Sequence, residues 1–425
     1  MSGTTQILDL NRYDPATGGG SALLQARQRH AGASSVLFYA DPIEMVRGEG
    51  VWLTAADGRR YLDVYNNVPS VGHCHPKVVE AIARQAAQLS THTRYLTQVV
   101  EAYAEKLMAT FPAPLSNLVM TCSGTEANDL ALRIAAANSG GRGVIVTRAA
   151  YHGNSAAVNE ISPSAWKSRG PAPHVKLVPE PRDAGFLAAV EAACAELREV
   201  GLSCMIVDSI FSSDGIFAEA PGFAAAVAAV RAAGGLFIAD EVQPGFGRTG
   251  AGMWGFARHG VVPDVVTMGK PMGNGYPMAG MVTRPELLAR FCEETGYFNT
   301  FGGNPVAAAA GLAVLEVIAE EGLIENARDV GQFFREGLAD MAARTPAMGE
   351  VRGAGLFIGL DFIDPDTGAP NAPKASRTIN ALKDKGILIG AAGLYGHTLK
   401  IRPPLPFSRE NAETFLKALG EILTN

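Results

Sequence analysis

Two short apolar runs end on ionisable residues thirty positions apart, Leu236-Phe237-Ile238-Ala239-Asp240 and Val265-Val266-Thr267-Met268-Gly269-Lys270. Each reads as a strand buried on both faces of a parallel sheet, with its charged residue at the carboxyl end, where open α/β sheets bind ligands. Alone, an Asp or a Lys after a strand is more often a solvated turn residue. On neighbouring strands the two become a pair with a specific use. An amine condenses with a carbonyl to a Schiff base while a carboxylate holds a protonated ring nitrogen, the division of labour that pyridoxal phosphate chemistry needs. Asp240 then keeps the ring able to accept electrons, and Lys270, once released, carries the proton as base and acid.

A second cluster offers a place for an anion. Leu118-Val119-Met120-Thr121-Cys122 reads as a strand, and Ser123-Gly124-Thr125-Glu126 turns it into a helix with Ala127, Leu130, Ala131, Ile134 and Ala135 at helical spacing. Ser123 and Glu126 fit a capping box, which by itself accounts for both residues. The same helix start presents free N–H groups to a phosphate, and Gly124 allows close backbone approach. Tyr151-His152-Gly153 follows the strand at Val144 to Val146, although packing and an ordinary hydrogen bond explain such a pair equally well. Arg402, in Leu399-Lys400-Ile401-Arg402-Pro403-Pro404, is the arginine to watch, because a guanidinium grips a carboxylate at two points.

From Asp240-Glu241-Val242-Gln243, Gly245-Phe246-Gly247-Arg248-Thr249-Gly250 and Pro263-Asp264 through Gly269-Lys270, the chain resembles the class III (subgroup II) pyridoxal phosphate enzymes, most of which are aminotransferases. The resemblance runs from about Val51 to Pro404. It implies a fold-type I α/β architecture, with a large domain around a mostly parallel sheet flanked by helices and a small α+β domain. The expected partition is an N-terminal segment of the small domain over 1–60, the cofactor domain over 61–310 and the C-terminal small domain over 311–425. It implies pyridoxal 5'-phosphate as cofactor, with Lys270 and Asp240 catalytic. Ser123, Gly124 and Thr125 match the phosphate cup, Tyr151 the ring that stacks on the pyridine, and His152 and Gln243 stand beside it. Thr300, in Asn299-Thr300-Phe301-Gly302-Gly303-Asn304-Pro305, matches a residue that reaches the phosphate of the other subunit, which implies a homodimer with the site at the interface. Arg402 falls where the substrate-carboxylate arginine lies. Asp208, expected with Arg402 among the substrate-binding residues, stands with Ser209 where transaminating relatives often carry Glu-Pro, a departure that speaks against a Glu-based switch between two substrates.

Transamination from an amino acid or amine to a keto acid, pyruvate or 2-oxoglutarate, is the commonest outcome in the family and the expected activity. Elimination from an amino-alcohol phosphate such as phosphoethanolamine is the alternative, since Asn66-Asn67-Val68, Met268-Gly269-Lys270-Pro271 and Tyr297 to Gly303 look closer to the phospho-lyase branch. Racemisation uses the same scaffold. Pocket walls in such enzymes come from loops, so the sequence does not name the amino donor or acceptor.

The elements that must position these residues are legible in outline. Glu44 to Asp63 reads as a strand meander with a turn at Asp57-Gly58, Pro76 to Gln88 as a helix, and Ser162 to Arg182 as a surface loop. Helices are expected from Gly185 to Val200, Val306 to Glu320, Ile324 to Ala343, Lys374 to Lys385 and Arg409 to Leu423, with short strands between the last of them, the mixed order of an α+β unit.

Composition narrows the remaining choices. With 425 residues, 47% hydrophobic and 18% charged, the chain can bury a large core. A formal net charge of −6 without any Lys/Arg run suits neither nucleic acid nor an anionic membrane. Five cysteines without Cys-x-x-Cys spacing argue against disulfides and zinc. Met1 to Gly20 lacks the apolar core of a signal peptide, and Val306 to Ile318 is too short to span a bilayer, so a cytoplasmic protein is expected. Gly72-His73-Cys74-His75-Pro76 offers His-x-His without a third ligand nearby, which favours architecture over a metal. Gly245 to Gly250 fits Gly-x-Gly-x-x-Gly, but Asp240 and Glu241 would crowd a pyrophosphate and no amphipathic helix follows; a nicotinamide enzyme is a remote alternative. A phosphate loop at Gly269-Lys270 fails because Asp264 occupies the place of its first glycine. A non-enzymatic binding role is a third class, disfavoured by the Asp–Lys pair and the cup together.

Overall fold

The computed structural model describes residues 9–17 and 20–424. Its centre is a seven-stranded sheet in the order Asn117–Thr121, Ala279–Thr283, Val265–Met268, Leu236–Asp240, Leu202–Asp208, Gly143–Thr147, Val175–Val178. Only Ala279–Thr283 runs against its neighbours. The continuous apolar runs have a simple cause, since both faces of the sheet are covered. Along Leu236–Asp240, Phe237 and Ala239 join the larger apolar cluster, while Ile238 joins a second one with Leu130 and Ile134 of the helix Gly124–Ser139.

Register then aligns the chemistry. Asp208 pairs with Asp240, and Asp240 with Thr267, so the carboxyl ends of three adjacent strands lie along one edge and the chain reaches Lys270 immediately beyond it. The Ser162 to Arg182 stretch, expected to be a loop, contains the edge strand Val175–Val178, paired in parallel with Gly143–Thr147. Four residues among Pro and Gly show too little alternation to be read as a strand; pairing with a buried neighbour supplies what local pattern lacks.

Two smaller sheets flank this centre. The expected meander forms as Met45–Glu49, Trp52–Ala55 and Arg60–Asp63, and gains Ile387–Leu388 in parallel from far along the chain. The other sheet is antiparallel, ordered Met348–Ala354, Phe357–Phe362, Thr398–Ile401, Gly390–Ala392. In Thr398–Ile401 the period of two sends Leu399 and Ile401 into the apolar core and puts Thr398, Lys400 and the following Arg402 on the opposite face. Arg402 N donates to Val64 O at 3.0 Å, which joins this strand to the chain leaving Asp63. The helix Pro305–Glu320, apolar nearly all round, packs on Pro76–Gln88 and Gln98–Met108. Among the described residues, no helix is long and apolar enough to cross a membrane.

Candidate active site

Asp240 is buried at its strand end and held by three donors. Its Oδ1 accepts from Val242 N at 3.0 Å, and its Oδ2 accepts from Asn128 Nδ2 at 3.0 Å and faces His152 Nδ1 at 2.7 Å. With a carboxylate opposite, Nδ1 is the nitrogen that carries the proton. Asn128 also donates to His152 O at 2.8 Å, so one amide sets both partners of the pair. Three donors orient the carboxylate. Among the described residues, His152 Nε2 and Asn128 Oδ1 are buried without a partner.

Lys270 follows Gly269 at the end of the adjacent strand. Burial, and after it repulsion from Arg402, brings its amine down to about 8, while Asp240 and Asp208 pull the other way. Among the described residues its Nζ has no hydrogen-bond or ion-pair partner, so the amine stands free for covalent chemistry.

The helix Gly124–Ser139 points its start at this point. Ser123 Oγ accepts from Glu126 N, and Glu126 Oε2 accepts from Ser123 N at 2.9 Å and Cys122 N at 2.7 Å, so the capping box is complete. Close packing brings the start to the lysine loop: a Cβ on Gly124 would lie 3.0 Å from Val242 Cγ2, and one on Gly269 would lie 3.4 Å from Gly124 N. Gly153 has φ +145°, and a Cβ there would stand 2.5 Å from Thr125 Oγ1, so the Tyr151-His152-Gly153 turn leans on the same helix start. Tyr151 is half-buried, which raises its phenol pKa.

Arg402, 7% exposed, sits on the opposite wall. Its Nη1 donates to Asn67 Oδ1 at 2.9 Å and to Gln243 Oε1, and its guanidinium stacks 4.5 Å over the Tyr65 ring. Both hydrogen-bond partners are neutral, and among the described residues no carboxylate pairs with it. The acids at the ends of the central strands are committed elsewhere. Asp208 accepts from Ile210 N at 3.0 Å and from the Ser212 hydroxyl, and burial raises its pKa. Glu241 accepts from Gly255 N and Phe256 N, both at 2.8 Å, and burial pushes it up to about 7. Arg248 donates to Leu356 O at 3.2 Å and to Pro403 O, tying the Gly245 to Gly250 turn to the residue after Arg402.

The structure therefore gathers Ser123, Gly124, Thr125, Tyr151, His152, Asp240 and Lys270 at one place, with Gln243 turned to Arg402. Asp208 ends the neighbouring strand. Thr300 is exposed and lines an open cleft of about 620 Å³ with His92, Cys122, Tyr276 and Phe301. Asn128 escaped the sequence reading although it carried a signal, a polar residue on the apolar stripe between Ala127 and Ala131. His73 and His75 face Asp63 and Glu321 at 2.7 and 2.9 Å.

These residues fit pyridoxal phosphate: a tight helix start for its phosphate, a carboxylate held by three donors for its ring nitrogen, and an unpartnered amine for its aldehyde. A profile of the aminotransferase class-III family matches residues 38–423. An alanine–glyoxylate aminotransferase 2-like protein of Drosophila melanogaster is 40% identical, across 94% of this chain and 86% of that protein. An ethanolamine-phosphate phospho-lyase homologue of Caenorhabditis elegans is 36% identical, across 95% of this chain and 93% of that protein. Among solved structures, a phospholyase from Arthrobacter in complex with phosphoethanolamine superposes with a TM-score of 0.92 at 43% identity, across 95% of this chain and 99% of that one.

Proposed function

The chain belongs to the class-III aminotransferase family of pyridoxal phosphate enzymes, and on that premise we propose that it eliminates phosphate from a small amino-alcohol phosphate such as phosphoethanolamine. The observation that carries this reading is Arg402, a buried cation balanced by two neutral amide oxygens and by no carboxylate among the described residues. An enzyme that alternates between an anionic and a neutral substrate needs an internal acid to cover its cation when the anion is absent, because an uncompensated buried charge is costly. Asp208 is tied to its own loop, and Asp240 to Val242, Asn128 and His152. Every substrate must then bring an anion, which a phosphate monoester and a carboxylate both do and a neutral amine donor does not. The likeness to a phospholyase bound to phosphoethanolamine supports the same choice.

When bound, pyridoxal phosphate supplies the electron sink. Ser123, Gly124 and Thr125 would hold its phosphate, Asp240 its ring nitrogen, Tyr151 its face and Lys270 its aldehyde carbon. Asn128 and His152 keep Asp240 oriented. Lys270, near half-neutral at pH 8, takes the proton from the carbon bearing the substrate nitrogen. Arg402 fixes the substrate anion so that the carbon–oxygen bond to phosphate is the one that breaks. Proton, phosphate and, after hydrolysis by water, ammonia leave; an aldehyde remains.

Transamination of carboxylate substrates is the second reading, favoured by the 40% identical relative named as an aminotransferase. Phosphoethanolamine supplied without any keto acid decides between them. Many turnovers of phosphate release are expected; release that stops at one equivalent, or amine transfer only with pyruvate or 2-oxoglutarate, overturns elimination. The same proposal includes a homodimer, supported by exposed Leu96, Tyr95 and Phe301, the last of which lines the Thr300 cleft, and a cytoplasmic location, which suits five free cysteines. A monomeric mass by light scattering would refute the dimer.

A further inference from the structure

Lys400 has no assigned task, and its surroundings are unusual. It lies two residues before Arg402 on an extended strand, hence on the same face, and is 2% exposed. Among the described residues its Nζ has no hydrogen-bond or ion-pair partner; the one contact is the Phe357 ring, 5.7 Å to the centroid. Its cross-strand neighbours are glycines, Gly359 and Gly390. A Cβ on Gly390 would collide with the Tyr65 ring at 2.3 Å, and that ring carries Arg402. Gly390 thus leaves room for the Tyr65 ring on which Arg402 stacks.

A buried ammonium without a partner is expensive, and nothing in the resting fold compensates it fully. Burial, and after it repulsion from Arg402 and Lys270, lowers the amine well below the ordinary lysine value, so the resting fold favours its neutral form and an arriving anion would draw the proton back. Asp208 and Asp214 attract the ammonium at longer range, but Asp208 serves Ile210 and Ser212, while Asp214 accepts from Thr147 Oγ1 at 2.7 Å and Ala149 N at 3.0 Å. A lysine kept for structure would be paired. One carboxylate is balanced by Arg402 alone. A phosphate monoester carries a charge of about −1.5 to −2 at neutral pH and calls for two cations.

We infer that Lys400 is the second cation of the substrate site, and that with Arg402 it forms a seat for a phosphate dianion. The inference rests on the phospho-lyase reading and deepens it, since the seat would select phosphate esters over carboxylates. Ester substrate and free phosphate product offer the same chemistry to it.

The test titrates inorganic phosphate and, separately, acetate into holoenzyme by calorimetry, where bound cofactor already fills the helix-start site. Wild type, Lys400→Met and Lys400→Arg are compared, with Lys400→Gln in reserve should the methionine variant fold poorly. Lys400→Met should weaken phosphate at least tenfold and acetate less than threefold, and Lys400→Arg should keep phosphate within threefold. In the absence of phosphate, Lys400→Met should melt no lower than wild type, and the rise in Tm that phosphate gives wild type should vanish. Equal weakening of both anions, unchanged phosphate affinity, or a lower Tm in both neutral variants overturns the seat. Kinetics with phosphoethanolamine separate this from the activity itself. Phosphate release with an unchanged KM in Lys400→Met sinks the seat and leaves elimination standing; Lys400-dependent phosphate binding without any phosphate release does the reverse.

Discussion

Replacing Arg402 by alanine puts the substrate site to a quantitative test. Its Nη1 is occupied by Asn67 and Gln243, whereas among the described residues the buried Nε has no partner, so the edge of the guanidinium formed by Nε and Nη2 is the edge offered to an anion. That edge gives a parallel two-point grip. Truncating one partner of a buried charge pair costs about 2–5 kcal/mol. At about 1.4 kcal/mol per tenfold, the loss in kcat/KM is roughly 30- to 4,000-fold. With Arg402 only 7% exposed, water cannot replace it well, which places the expectation in the upper half of that range. Arg402→Lys keeps a charge but loses the fork and the stacking on Tyr65, and should recover only part of the loss. The assay is initial-rate kinetics with phosphoethanolamine and with alanine plus glyoxylate, after absorbance has shown that each variant retains cofactor. The affected substrate identifies the anion that the arginine reads. A kcat/KM within threefold of wild type for every anionic substrate would refute the assignment, and with it the claim that this cation lacks an internal counter-ion for a reason.

Borohydride reduction of the holoenzyme should label Lys270 alone, and Lys270→Ala should take no label; a labelled peptide elsewhere would remove the central assignment. Because its amine is held at about 8, below the ordinary lysine value of 10.5, more of it is neutral at any given pH, so capture of pyridoxal phosphate by apoprotein should speed up with pH to about 8 and then level off. A midpoint near 10.5 would mean that burial and Arg402 do not act on it. Asp240→Asn keeps shape without charge, so turnover should drop by orders of magnitude with cofactor still bound; Asn128→Ala, which removes one of three donors, should cost far less, and the reverse ranking would contradict the proposed roles. Gly153→Ala forces φ +145° on a residue with a Cβ and drives it to 2.5 Å from Thr125 Oγ1, so cofactor affinity measured by absorbance titration should fall by about 1–3 kcal/mol, and normal affinity would show that the helix start does not depend on that contact.

Much of the site was legible before any coordinates. Asp240 and Lys270 announce themselves because a strand covered on both faces must be apolar throughout, so the first ionisable residue marks its end. The Ser123–Glu126 capping box is local, formed within one helical turn, and the sequence therefore contained it complete. The alternation that sends Leu399 and Ile401 inward and Lys400 and Arg402 to the other face was likewise present in the chain.

Tertiary structure decided what those residues touch. Asn128 and His152 meet Asp240 across 112 and 88 positions, and Arg402 meets Gln243 and Asn67 across 159 and 335. Parallel strands need long crossovers, so residues at adjacent strand ends are remote in sequence, and no local pattern records the register that joins them. Gln243 shows this best: its motif placed it beside the cofactor, and the fold turned its amide to Arg402. The strand Val175–Val178 exists only because Gly143–Thr147 lies beside it. The partnerless amine of Lys400 is a property of an enclosure built by Gly359, Gly390, Phe357 and distant acids already engaged elsewhere, and such an absence of partners among the described residues becomes visible only once the chain has closed around it.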